Sequence, residues 1–209
     1  MQSIITGSES GKFFGLSETK LFLMNLGKTL AQRNLAPATA SNYSLRLSDS
    51  NFLITASGCR KGELTPDDFV NVDFKGQILS GENASSDTLL HLQLYQLFPE
   101  TGWVIHVHSI ASTVLTRKKQ HMSLTGYELL KVFPKASNTD KEYVIPIFEG
   151  DDREHLQAQV RDYYTQVPNP ALPFYFLRAH GIFLWGEDHK QILNRLEAIN
   201  FMLECELLS

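Results

Sequence analysis

A chain of 209 residues, 43% hydrophobic and 20% charged, has enough apolar surface for one medium core and too much for a disordered chain. Its 19 basic and 23 acidic residues leave a formal charge of −4, which argues against general affinity for nucleic acid or anionic membrane. An anionic ligand would need a local site. The two cysteines, Cys59 and Cys205, form no disulfide framework and fit free thiols in a reducing compartment. Met1–Lys12 is polar, without the apolar segment of a signal peptide, and no run approaches the ~18 apolar residues of a membrane span. A cytoplasmic protein of one domain is the expectation, with residues 1–12 loosely ordered.

In chain order, Ser17 caps a predicted helix running to Arg33, with Leu16 and Leu21 as a hydrophobic staple. The stretch from Pro37 to Leu47 passes from a turn into a strand, and the polar turn Asp49-Ser50-Asn51 leads back into a second strand ending at Thr55. Small residues follow, Ala56-Ser57-Gly58. Val70–Asp73 and Gln77–Leu79 read as short strands around Lys75-Gly76. The apolar spacing from Leu89 to Phe98 gives a helix whose first turn holds Ser85-Ser86, a seat for a phosphate or simply a cap. His91, on this helix, is read as surface or capping, as are His121, His155 and His189.

Trp103–Val107 is a run of β-formers read as a buried strand, on which His106 and His108 share a face about 6–7 Å apart. Two imidazoles so placed can reach one ion, which makes them half a metal site. Ser109–Arg117 and Ser123–Phe133 are predicted helices, the latter with Thr125 as cap and Glu128 in its first turn. Glu142–Phe148 is a strand that Pro146 should kink or confine to an edge. A helix over Asp152–Tyr164, strands at Phe174–Ala179 and Ile182–Trp185, and a helix from Asp188 to Leu207 complete the chain. His180 lies between the last two strands, beside Gly181, and a distant third histidine is what an open zinc site needs. Hairpins with interspersed helices point to a layered α/β domain with a largely antiparallel or mixed sheet.

His106-Val107-His108-Ser109, Thr55-Ala56-Ser57-Gly58, Ser85-Ser86 and Ala179-His180-Gly181 occur in the order seen in class II aldolase-like proteins, and from about Leu16 onward the chain resembles that superfamily. Pro37 to Ser44, Ser85 to His91, Gly126-Tyr127-Glu128 and His180-Gly181 through Trp185-Gly186 resemble, more narrowly, its methylthioribulose-1-phosphate dehydratase branch. The resemblance implies an α/β/α domain around a mainly antiparallel sheet, with His106, His108 and His180 as ligands of one zinc ion. It implies a phosphate seat made by Asn42, Ser57, Gly58, Ser85 and Ser86. Lys61 and Arg195 are weaker neighbours of that seat, and surface exposure is expected of both. In the aldolases a glutamate follows the Ser-Ser pair; here Asp87 stands there, one methylene shorter. In the dehydratases a glutamate some twenty residues beyond the His-x-His serves, and Glu128 is at that place. The implied activity is a β-elimination of water from the sugar phosphate 5-methylthioribulose 1-phosphate, giving 2,3-diketo-5-methylthiopentyl 1-phosphate in methionine salvage, by a homotetramer. The alternatives are an aldolase or epimerase of the same fold, dependent on Asp87, and a non-catalytic adducin-like module.

Overall fold

A computed structural model describes residues 5–6, 13–14, 16–150 and 152–209. The loose order expected over residues 1–12 therefore falls, Ile5 and Thr6 apart, outside the described residues. A short antiparallel pair, β1 (Ile5–Thr6) and β2 (Phe13–Phe14), precedes helix α1 (Leu16–Gln32). Then come β3 (Asn42–Arg46), β4 (Asn51–Thr55), β5 (Phe69–Asp73), β6 (Ile78–Ser80), α2 (Thr88–Leu97), β7 (Trp103–Val107) and α3 (Ile110–Thr116). The chain continues through β8 (His121–Leu124), β9 (Tyr143–Phe148), α4 (Arg153–Gln166), β10 (Phe174–Leu177), β11 (Gly181–Gly186) and α5 (His189–Leu208).

Nine strands form one sheet in the order β6-β5-β4-β3-β7-β11-β10-β9-β8. Every pairing is antiparallel except β9 with β10. Both faces are covered. Leu23, Leu26 and Leu30 of α1, Ala111 of α3 and Ile192, Leu196 and Ile199 of α5 bury one face. Leu90 and Leu94 of α2 and Leu156 and Val160 of α4 bury the other. This is the three-layer α/β/α arrangement that the resemblance implied. With helices on both sides, β7 has no solvent-facing position, which is why it reads as an apolar run broken only by His106.

Two local expectations are corrected. Ser123–Phe133 is not a helix: β8 occupies His121–Leu124, Gly126 turns the chain at φ +76°, and only a 3₁₀ segment, Glu128–Val132, follows before Pro134. The alternation of exposed His121, buried Met122 and buried Leu124 has the period of a strand. Pro146 does not mark an edge strand, because β8 and β10 flank β9. Instead, pairing with β10 is confined to Ile147 and Phe148, past the residue that lacks an N–H.

Candidate active site

The site is organised at the end of β7 where the chain leaves the sheet centre. His106 lies opposite Asn42 of β3 and opposite Phe183 of β11. It is almost wholly buried and stacks on the Phe183 ring, with centroids 4.2 Å apart. Its Nδ1 is 3.1 Å from the Ile182 carbonyl oxygen. A carbonyl only accepts, so Nδ1 carries the proton and Nε2 is left with a lone pair. His108 sits just past β7, where its N–H donates to the Leu35 carbonyl.

His180 comes from the β10–β11 turn, whose conformation is set by Ala179 at φ +51°. Helix α3 holds that turn: the Ala179 N–H donates to Thr116 Oγ1 at 3.0 Å, and Thr113 Oγ1 donates to the His180 carbonyl at 2.9 Å. The next residue must be glycine, since a Cβ at Gly181 would stand 2.3 Å from the Val107 carbonyl oxygen and 3.1 Å from His106 Cε1. The close approach at this glycine is therefore made by the neighbouring strand.

The three rings converge, with centroids 4.5–5.1 Å apart. One ligand atom from each lies within 4.8 Å of the others, and the group contains no carboxylate. His106 Nε2 and His180 Nε2 are 3.3 Å apart. A tetrahedral ion with bonds of about 2.0–2.1 Å has ligand nitrogens roughly 3.3–3.4 Å from one another, so this donor pair fits a metal ion without rearrangement. Burial, followed by the other two histidines, pushes His106 well below the ordinary imidazole range, and burial with His180 brings His108 down to about 4. Neutral imidazoles are the form that ligates.

Asp87 stands beside the cluster, buried, with Oδ2 4.0 Å from His106 Nε2. Asn42 Nδ2 donates to that oxygen at 2.8 Å, and Arg153 Nη2 pairs with Oδ1 at 2.8 Å. Ser85 Oγ accepts the Asp87 N–H, so this serine serves the entry to α2, which begins at Thr88, after the Ser-Ser pair. Ser86 is exposed. The two small-residue turns are brought together: Ala56 bridges Ala84, and the Ser57 N–H donates to the Asn83 carbonyl. Gly58, at φ +75°, faces open space.

Not every candidate joins this group. Glu128 is exposed on the 3₁₀ segment, with its carboxylate 2.7 Å from Lys131 Nζ. Lys61 is buried, not exposed, and ties two loops by donating to the carbonyls of Thr39 and Cys59. Arg195 is also buried and donates to the Trp185 carbonyl, at the β11 end remote from His180. Two residues that sequence reasoning left out belong here. Arg153 is one. The other is His91, read as surface or capping and found fully buried, 2.6 Å from Asn42 Oδ1 and 2.7 Å from Ser44 Oγ. A signal was present: the residues flanking His91 on α2, Leu90 and Leu92, are apolar, so the helix is buried nearly all round. His121, His155 and His189 are exposed, as expected.

The model of the Class II Aldolase and Adducin N-terminal domain family matches residues 22–207. A Methylthioribulose-1-phosphate dehydratase of Marinobacter nauticus is 38% identical over 190 residues, 88% of this chain and 90% of that protein. The proteins of the same name from Pseudomonas syringae pv. tomato and Stenotrophomonas maltophilia are both 41% identical, covering 88% and 92% of this chain and 92% and 91% of theirs. Among solved structures, an L-fuculose 1-phosphate aldolase superposes with a TM-score of 0.76 at 22% identity, over 92% of this chain and 86% of that one. A sugar-phosphate aldolase from Thermotoga maritima gives 0.73 at 20%, over 92% and 94%. These two likenesses speak for the fold. The extent of the family match and the level of identity place this chain in the class II aldolase and adducin N-terminal domain family, on its methylthioribulose-1-phosphate dehydratase branch.

Proposed function

We propose that this chain is a zinc-dependent lyase that removes water from 5-methylthioribulose 1-phosphate to give 2,3-diketo-5-methylthiopentyl 1-phosphate in methionine salvage. The observation that carries the reading is the convergence of His106, His108 and His180 beside Asp87, in a chain about 40% identical to named dehydratases. His106, His108 and His180 would hold the ion, which when bound supplies a Lewis acid that acidifies the proton next to a ketone. Asn42, Ser57, Gly58, Ser85 and Ser86 are assigned to the phosphate. One Asn42 N–H is given to Asp87 and the other is assigned to the phosphate. Backbone and hydroxyl donors at the entry to α2 suit a dianion in a chain of net charge −4.

The elimination takes the proton from carbon 3 and expels the carbon-4 hydroxyl as water. Glu128 is assigned the acid/base role, and Asp87 is assigned to a substrate hydroxyl or the ion. Exposure of Glu128 supports a further element of the reading: the active unit is a homotetramer in which a boundary between chains completes the site. One domain spans residues 1–209, and the enzyme works in the cytoplasm. Among the described residues no helix is long and apolar enough to cross a membrane.

The test is incubation of zinc-loaded protein with methylthioribulose 1-phosphate and mass spectrometry of the product. Loss of one water is expected, with about one zinc per chain by metal analysis. Cleavage into smaller fragments would overturn the reading in favour of an aldolase.

A further inference from the structure

Beneath the site runs a chain of buried polar groups of which only Asn42 has a part in the proposed reaction; Ser44, His91 and Tyr95 have none. Asn42 and Ser44 are two apart on β3 and so face the same side, toward α2. The His91 ring bridges them, with Nδ1 2.7 Å from Ser44 Oγ and Nε2 2.6 Å from Asn42 Oδ1. One helical turn on, Tyr95 places its hydroxyl 2.7 Å from the same Ser44 Oγ. Ser44 and His91 are fully buried, Tyr95 is nearly so, and Phe183 closes the ring edge-on.

The proton positions along this chain follow from its one fixed end. Asp87, paired with Arg153, only accepts, so the Asn42 amide must turn its NH₂ to Asp87 and its oxygen to His91. That oxygen only accepts, so His91 carries its proton on Nε2. Nδ1 is then an acceptor, Ser44 donates to it, and Tyr95 donates to Ser44. All four hydrogen bonds point the same way, toward the carboxylate beside His106. Burial pushes His91 down to about 3 and raises the Tyr95 hydroxyl above its ordinary value, so neither group ionises to break the order. Aligned hydrogen bonds polarise one another, and in a site from which water is excluded they hold their acceptor firmly.

We propose that His91 is a positioning residue for Asp87: fixed as its Nε2–H tautomer by Ser44 and Asn42, it orients the Asn42 amide, which holds the Asp87 carboxylate toward the histidine cluster. The catalytic part of this inference rests on Asp87 acting at that cluster; the tautomer does not.

Two measurements on the zinc-loaded protein test it. With ¹⁵N-labelled histidine, the His91 ring should show a protonated Nε2 and an unprotonated Nδ1 at every pH from about 5 to 8. The reverse tautomer, or a doubly protonated ring, overturns the proposal. In kinetics, His91→Leu should lower kcat by about 10–100-fold with zinc content nearly unchanged, and His91→Gln, which keeps a donor on Asn42, should recover most of the loss. Full kcat in His91→Leu, or failure of His91→Gln to improve on it, overturns the proposal. Should His91→Leu not fold, Ser44→Ala and Tyr95→Phe provide the same reading, with the larger loss expected in Ser44→Ala; equal or reversed effects count against the relay. If the unmodified enzyme releases no water from the substrate, the proposed reaction falls while the tautomer result stands on its own.

Discussion

The two carboxylates assigned to the chemistry live in opposite surroundings. Asp87 is buried, with Asn42 and Arg153 on its two oxygens and the His106 ring beyond. Glu128 is 78% exposed, and its partner is a lysine three residues away on the same surface turn. The first is pre-organised by its own chain, so its geometry is fixed before substrate arrives. The second is free to be recruited, and a surface ion pair of that kind holds it by no more than about 0–1 kcal/mol. Position and availability are thus divided between two residues. A buried group costs little to keep aligned but is hard to move; an exposed one moves easily but needs a partner surface to direct it.

The sharpest ways to break this contrast begin with the histidines assigned to the metal. His180→Ala should reduce metal content far below one ion per chain and abolish turnover; full activity without metal would remove the basis of the site. Glu128→Gln should lower kcat by about 10²–10⁴-fold while zinc content and melting temperature stay at the parent values, because an exposed substitution changes stability by about 0.5 kcal/mol or less. Retained turnover would transfer the role to Asp87. Mixing inactive Glu128→Gln with inactive His180→Ala chains under exchange should restore part of the activity if Glu128 serves a neighbouring chain. No recovery would assign it to its own.

Asp87→Asn should combine both kinds of loss. Turnover should drop by about 10–100-fold, and stability should fall by about 1–2 kcal/mol. That figure is discounted because the Arg153 side chain is 39% exposed. The last effect is on pH dependence. An unfolded chain protonates position 91 near pH 6.5, whereas the folded ring resists to about 3. The neutral buried ring therefore stabilises fully above pH 6.5, and that contribution is lost as pH falls toward 3. Melting temperature followed from pH 7 to 4 should decline, and less steeply in His91→Gln; identical slopes would place the acid sensitivity elsewhere.

Much of the fold was legible from period and punctuation. β7 and β3 announced themselves through β-formers and flanking turns, and α5 through its leucine stripe behind Asp188, which caps it by accepting the Gln191 N–H. Ser123–Phe133 was misread because a four-residue strand, a left-handed glycine and a 3₁₀ turn in succession imitate helical spacing. In the site, the convergence of the histidines could be anticipated because a His-x-His pair on a strand shares one side and His180 follows in a turn beside it. Arg153 could not: its link to Asp87 joins the start of α4 to the start of α2, sixty-six positions apart, and no local pattern encodes it. His91 was hidden for another reason. A histidine on a helix reads as polar until its partners are known, and those partners, Asn42 and Ser44, lie on a strand that looks complete without them.

Gly181 carries a consequence for the whole histidine cluster. Its Hα side faces the Val107 carbonyl so closely that a single methyl cannot enter without parting β11 from β7, and the His106 ring beside it would have to give as well. Strand spacing and imidazole direction are therefore coupled at this position, and Gly181→Ala disturbs both. A residue with no side chain thus helps to decide how accurately the histidines are aimed.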